Sequence, residues 1–229
     1  MKILILKLLL IRYSVLSKIA DTFHRKIIPL VNINASHYKE GQRLTYDDIP
    51  EGARFLYNQR NMSFDKDLGL KGKYCYHPFN TITVDGLGDI YNCICQAWLP
   101  IPVANIFEVD SLEAMVTNAR AREIQSSIID GTYRYCDNNT CGIIQSDELS
   151  GRITHKPDTV NWINFALDSS CNLTCPSCRR EFTFINSGAE FERRMAISDK
   201  MVNLIQAHMH PLKFTLSGDG DPFASLIYR

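Results

Sequence analysis

The amino-acid sequence predicts an α/β protein made of two successive parts, and three observations support this prediction. A hairpin pattern followed by a helical pattern occupies the first part. A strand, a loop, a helix and a second strand follow one another in the last 70 residues, which is the beginning of a βαβ pattern. The chain holds eight cysteines, and none lies in the first 74 residues or the last 51.

The first part begins with a β-hairpin. Residues 81–84 alternate as a strand does, residues 85–88 have turn chemistry, and a second strand is expected at residues 90–93. A helical segment should follow from a cap at Asp110, with a break near Asn118 and an end at residues 130–131, where glycine favours the left-handed stop.

The second part opens with residues 162–167, which are mostly apolar and typical of a buried parallel strand. A cysteine-containing loop follows directly. A helix is then expected to begin at Ser198 and to stop before Pro211. Residues 214–216 should form a second strand, which ends in the Gly/Asp-rich turn at residues 217–222.

These patterns divide the chain into four segments: a helical and irregular N-terminal segment (1–72), a small cysteine-rich α+β domain (73–144), a polar linker (145–159) and the α/β part (160–229). The first segment carries more basic than acidic residues. Packing of its helix on protein is favoured over contact with a membrane surface. The last segment has room for roughly two β/α units, so we expect it to be the front part of a longer barrel.

Composition excludes several classes of function. Hydrophobic residues make up 45% and charged residues 22% of the chain, which is an ordinary globular balance. The 25 basic residues cancel the 25 acidic ones, so global charge gives no reason to expect a nucleic-acid partner. No apolar run reaches the roughly 18 to 20 residues needed to span a bilayer.

The spacing of the cysteines favours metal binding over disulfide bonding. Cys171, Cys175 and Cys178 lie within eight residues and cannot all pair with one another. A metal centre needs several thiolates close together, and a chain of this length can form a core without disulfides. Free thiols imply a reducing compartment, and we therefore expect the cytoplasm.

The loop has the spacing C-x3-C-x2-C, and its three thiolates leave one iron of a cubane iron–sulfur cluster without a protein ligand. An open position suits a reactive metal site. The alternative is a zinc site, which would need a remote fourth ligand.

This loop, placed after a strand, resembles the signature of the radical SAM enzymes. The resemblance implies the start of a partial (β/α) barrel. It also implies a [4Fe-4S] cluster on Cys171, Cys175 and Cys178, with S-adenosylmethionine bound to the free iron. Such enzymes cleave S-adenosylmethionine to a 5′-deoxyadenosyl radical. The family often has an aromatic residue where this chain has Ser177.

The Gly/Asp-rich turn is similar to the family's glycine-rich motif, whose backbone meets the ammonium group of S-adenosylmethionine. The resemblance implies cofactor contacts at five consecutive positions: Gly218, Asp219, Gly220, Asp221 and Pro222.

The earlier cysteines resemble a SPASM domain, which holds auxiliary [4Fe-4S] clusters. The resemblance includes the Cys-x12-Gly-x4-Cys spacing and the stretch 103–113 between the cysteine pairs. It implies one auxiliary cluster with four ligands, namely Cys75, Cys93, Cys136 and Cys141. Cys95 is the possible substitute, since a strand would place it on the same face as Cys93. His77 is expected to be a partly exposed turn residue, and a structural zinc site is the alternative.

The resemblance thus predicts a radical SAM oxidoreductase or transferase that modifies a peptide, a protein or another small substrate. A ferredoxin or flavodoxin would supply the electron. The competing hypothesis is a non-catalytic module that is stabilised by zinc or carries electrons through an iron–sulfur cluster.

Overall fold

The structure is a computed structural model, and it describes residues 38–51, 54, 57–58, 63–151, 158–175, 178–216 and 220–229. The predicted N-terminal helix lies outside these residues. So do Ser177, Gly218 and Asp219, three of the positions that the radical SAM resemblance singled out.

The described chain is a mixed α/β protein with a five-stranded sheet, which confirms the predicted α/β class. The strands are β1 (Thr81–Asp85), β2 (Asp89–Tyr91), β3 (Ala104–Asn105), β4 (Trp162–Ala166) and β5 (Lys213–Thr215). Their order across the sheet is β3-β2-β1-β4-β5. The helices are α1 (His77–Asn80), α2 (Ala114–Thr117), α3 (Ala119–Ile129), α4 (Gly142–Gln145) and α5 (Gly188–Ala207).

The predicted hairpin is confirmed. Strands β1 and β2 pair antiparallel, with Thr83 opposite Tyr91. The turn between them is closed by the backbone N–H of Gly88, which donates to the carbonyl of Asp85 at 3.0 Å. Strand β3 continues the antiparallel side of the sheet, although its two residues are too short to show a sequence pattern.

The sheet joins the two parts of the chain, because β1 from the first part pairs in parallel with β4 from the second. Their register runs from Thr81 opposite Trp162 to Asp85 opposite Ala166. Both strands are almost entirely buried, as expected for the centre of a sheet covered on both faces. The linker predicted at 145–159 therefore does not divide the sheet, and the described residues belong to one compact unit.

The predicted linker is itself tied to the first part. Ser150 and Tyr74 form an isolated antiparallel bridge, in which the N–H of Tyr74 donates to the carbonyl of Ser150 at 2.7 Å. Farther along, Arg122 lies 2.6 Å from the carboxylate of Asp158. These contacts hold the chain on both sides of the undescribed residues 152–157.

The predicted break near Asn118 is confirmed, since Asn118 separates α2 from α3 and caps α3. Its side-chain oxygen accepts a hydrogen bond from the N–H of Ala121 at 3.0 Å. The cap predicted at Asp110 is wrong, because the helix begins later and Ser111 accepts from the N–H of Ala114 at 3.1 Å.

The βαβ pattern of the second part is also confirmed, since α5 connects two parallel neighbours, β4 and β5. The start predicted for this helix at Ser198 is wrong. The helix begins at Gly188, whose φ of +81° lies in the left-handed region. Its buried residues Ile197, Met201 and Leu204 contribute to the core.

Among the described residues, every helix is too short or too polar to cross a lipid bilayer.

We predict that Gly131→Ala destabilises the protein. Gly131 has a φ of +84°, and a Cβ there would overlap the backbone of Lys71. The left-handed conformation alone should lower the free energy of unfolding by about 1 to 3 kcal/mol, and the overlap adds to this loss. Chemical denaturation measures the effect. Gly142→Ala is the matched control: a Cβ at Gly142 meets nothing within 4 Å, so it should leave stability unchanged or slightly raised.

Candidate functional site

The two cysteine groups attach to opposite ends of the parallel strands. Cys75 precedes β1, whereas Cys171 follows β4. The strands β1 and β4 run in the same direction and in register. Cys75 therefore lies near the ends at which these strands begin, and Cys171 lies near the ends at which they stop. The structure therefore holds two distinct candidate sites.

All four cysteines predicted for the auxiliary site line one pocket. The space between the atoms that line this pocket is about 320 Å³, a figure that includes open solvent. Its walls are formed by the following residues: Cys75, His77, Pro78, Cys93, Trp98, Leu99, Tyr133, Cys136, Cys141, Ile143 and Ile144. Apart from the thiols, the lining consists mainly of aromatic and aliphatic side chains.

Tyr133 positions Cys75. Its hydroxyl donates to the carbonyl of Lys73 at 2.8 Å and accepts from the N–H of Cys75 at 3.0 Å. Tyr133 is completely buried and has a φ of +49°, which is uncommon for a bulky residue. The backbone that leads to Cys75 is thus held by one aromatic side chain in a strained conformation.

Asp137 organises the loop between Cys136 and Cys141. Its carboxylate accepts from the N–H of Asn139 at 2.9 Å and from the hydroxyl of Thr140 at 2.8 Å. Its backbone accepts from the N–H of Cys141 at 2.9 Å. These bonds fix the separation between the last two cysteines of the pocket.

Cys93 is held by two strands of the sheet. The hydroxyl of Thr83, on β1, donates to the carbonyl of Cys93 at 2.5 Å. The side-chain amide of Asn164, on β4, donates to Thr83 at 3.2 Å and to the carbonyl of Ile94 at 3.0 Å. A residue of the second part of the chain therefore supports a cysteine of the first.

The structure corrects two expectations around this pocket. Strand β2 ends at Tyr91, so Cys93 and Cys95 lie in the turn beyond it and the face-sharing argument for Cys95 fails. Cys95 does not belong to the residues that line the pocket. His77 is buried rather than partly exposed, and its Nδ1 lies 3.0 Å from the hydroxyl of Thr81.

Burial controls the ionisation of the pocket thiols. It raises the pKa of Cys75 to about 12 and raises the pKa of Cys93 well above its ordinary value. It also raises the pKa values of Cys136 and Cys141. For Cys93, the nearby thiolates of Cys75, Cys136 and Cys141 raise the pKa further. In the metal-free protein the pocket therefore favours neutral thiols.

The loop after β4 places its cysteines in different surroundings. Cys171 is buried and forms an antiparallel bridge with Thr183, with N···O distances of 2.7 and 3.0 Å. Cys175 and Cys178 are exposed, and the N–H of Cys178 donates to the carbonyl of Cys175 at 2.9 Å. The loop is thus anchored at its first cysteine and open to solvent at the other two.

The described part of the Gly/Asp-rich turn packs directly on this loop. A Cβ on Gly220 would overlap the carbonyl oxygens of Ser170 and Asp168, so only glycine allows the approach. The N–H of Asp221 donates to the carbonyl of Ser170 at 2.9 Å. The structure therefore brings Gly220 and Asp221 beside the residue that precedes Cys171. Pro222 follows them and is partly buried.

Among the residues that the structure describes, no group of three or more His, Cys, Asp or Glu side chains is positioned to hold a metal ion. The metal ligand sets therefore stay predictions. Comparison with protein-family models, curated proteins and solved structures finds no match to this chain.

Sequence reasoning missed four residues that organise the two sites: Tyr133, Asp137, Asn164 and Asp168. Asp168 carried a usable signal, since an acidic residue directly after a buried strand lies at the edge where α/β folds place functional groups. Tyr133 and Asn164 carried none, because their partners are distant in the chain.

We predict that alkylation of the metal-free protein at pH 8 modifies Cys175 and Cys178 first. Both are exposed, whereas Cys75, with a pKa of about 12, is thiolate in only about one molecule in ten thousand at this pH. Mass spectrometry of peptides after timed iodoacetamide treatment measures the order. In denaturant all eight cysteines should react at similar rates. Equally fast modification of Cys75 in the folded protein would contradict the raised pKa of its thiol.

Proposed function

We propose that this protein is a cytoplasmic radical SAM enzyme. In this proposal Cys171, Cys175 and Cys178 hold a [4Fe-4S] cluster, and the backbone around Gly220 and Asp221 receives the methionine portion of S-adenosylmethionine. The observation that carries the proposal is the contact between these two segments: the turn after β5 packs on the residues just before Cys171.

The sheet supports this arrangement. Strands β4 and β5 are parallel neighbours, so the loops that follow them emerge at the same edge. The open side of the cysteine loop, at Cys175 and Cys178, leaves two thiols accessible to a metal. The thiolate is the form of cysteine that binds metal.

The four cysteines that line the pocket support an auxiliary [4Fe-4S] cluster by their residue type. Four thiols in one largely apolar pocket match the four cysteine ligands that saturate such a cluster. Binding would draw them together as thiolates and release their protons. Tyr133 and Asp137 would hold the backbone of the ligand-bearing segments, and Thr83 would hold that of Cys93.

When both cofactors are bound, one electron from a ferredoxin or flavodoxin would break the C5′–S bond of S-adenosylmethionine, giving methionine and a 5′-deoxyadenosyl radical for hydrogen abstraction from substrate. The chain's own residues would bind the clusters and orient S-adenosylmethionine. The substrate proposed here is a peptide, a protein or another small molecule, and this part of the proposal rests on the resemblance to enzymes that carry a SPASM domain.

A second candidate function is a non-catalytic module in which the pocket holds zinc or a single iron–sulfur cluster. The observation that favours it is the depth of the pocket, because buried Cys93 and Cys136 suit a site that stabilises the fold. Under this alternative the exposed loop at Cys175 and Cys178 would have no part in cofactor chemistry.

We predict that anaerobic reconstitution with iron and sulfide yields a brown protein with about eight irons per chain, or two cubane clusters. Cys175→Ala and Cys93→Ser should each lower the content to about four irons, because the two ligand sets are separate. Iron analysis and visible absorption measure the outcome. Stoichiometric zinc without colour would support the alternative and exclude the proposed enzyme.

We further predict that the reconstituted wild-type protein, given dithionite, cleaves S-adenosylmethionine to methionine and 5′-deoxyadenosine. Cys175→Ala should abolish the cleavage, since it removes a ligand of the cluster that binds the cofactor. Chromatography of the products measures the rate. Asp110→Asn is the control, because its carboxylate is fully exposed and belongs to neither cysteine group. A two-cluster protein without cleavage would indicate an electron carrier instead.

A further inference from the structure

Asp168 is a buried carboxylate just before the cysteine loop, at the end of β4. It lies two residues after the end of β4, is 1% exposed, and has no role in the ligand sets described above. Arg194 of α5 lies 4.0 Å from one carboxylate oxygen, which partly compensates the buried charge.

One carboxylate oxygen of Asp168 faces the cysteine loop. Oδ1 accepts from the N–H of Ser170 at 3.0 Å and from the hydroxyl of Ser170 at 2.9 Å. The same hydroxyl accepts from the N–H of Ile185 at 2.9 Å. Both flanks of the loop that contains Cys171 are thus connected to this oxygen.

The other carboxylate oxygen faces the segment beyond β5. Oδ2 accepts from the hydroxyl of Ser225 at 2.5 Å. That hydroxyl in turn accepts from the N–H groups of Ile227 and Tyr228, at 3.0 and 3.3 Å. Ser225 is completely buried, so this bond is shielded from water.

We propose that Asp168 is a positioning residue that holds the cysteine loop and the segment 220–228 in a fixed relation, so that cluster ligands and cofactor-binding backbone lie together. This inference rests on the proposed function. It extends the proposal by assigning the mutual alignment of the two segments to a single carboxylate, with one oxygen for each segment.

The chemistry of the two oxygens allows the roles to be separated. Asp168→Asn keeps one side-chain oxygen. This oxygen must face Ser170, because the N–H and the hydroxyl of Ser170 both donate hydrogen bonds there. Its NH₂ group then faces Ser225, whose hydroxyl proton loses its acceptor. Ser225→Ala removes the same bond from the other side. Asp168→Ala removes both bonds.

The first readout, hydrogen exchange, requires no cofactor. In the metal-free protein, Asp168→Ala should speed exchange at least tenfold at the backbone amides of both Ile185 and Ile227. Asp168→Asn and Ser225→Ala should speed it at Ile227 alone. Asp110→Asn, which changes an exposed carboxylate, is the control and should alter neither. Wild-type exchange rates in Asp168→Ala would overturn the inference.

The second readout uses the reconstituted protein. Asp168→Asn and Ser225→Ala should keep the full iron content but require at least tenfold more S-adenosylmethionine to change the electron paramagnetic resonance spectrum of the reduced cluster. A merely structural role would leave this titration unchanged, and an unchanged titration would overturn the inference. A wild-type protein that binds no iron would overturn the proposed function. The exchange experiment would still test whether the hydrogen bonds of Asp168 to Ser170 and Ser225 hold the two segments together.

Discussion

The parallel pairing of β1 with β4 is the constraint on which both candidate sites depend. The two strands match residue for residue from Thr81 and Trp162 to Asp85 and Ala166, although a long stretch of chain separates them. This pairing sets the direction in which Cys75 approaches the sheet and Cys171 leaves it. It also places Asn164 where its amide reaches the turn after Cys93. A shift of the pairing by one residue would turn Asn164 to the opposite face and remove that support.

The two cysteine groups differ most in their access to water. In the pocket, burial raises the pKa values of all four thiols, so a metal that binds there must displace their protons and would contribute to folding in doing so. In the loop after β4, Cys175 and Cys178 face solvent while Cys171 is anchored against Thr183. The first environment suits a permanent group. The second suits a centre that must meet another molecule.

Local sequence signals predicted the parts of the fold that depend on neighbouring residues. The hairpin at 81–93 and the break at Asn118 were predictable because turn glycines and a capping amide act within a few residues. The start of α5 was missed, because Ser198 resembled a cap while the true beginning at Gly188 has no side-chain cap bond. The pairing of β1 with β4 and the bonds of Tyr133 were not predictable from local patterns, since they join residues far apart in the chain.

The position of Asp168 shows why cysteine spacing alone does not define the proposed site. Three thiols can be recognised in a sequence, but under the proposed function the loop must also be held against the segment that is proposed to receive S-adenosylmethionine. Here Gly220 packs on the carbonyl groups of Ser170 and Asp168, and the side chain of the same aspartate connects to Ser170 and Ser225. A buried carboxylate that is satisfied from both sides resists displacement, because moving either segment leaves a charged oxygen without its partner. The rigidity of the proposed site would therefore arise from hydrogen bonds at the end of β4, while the exposed thiols themselves remain free to bind.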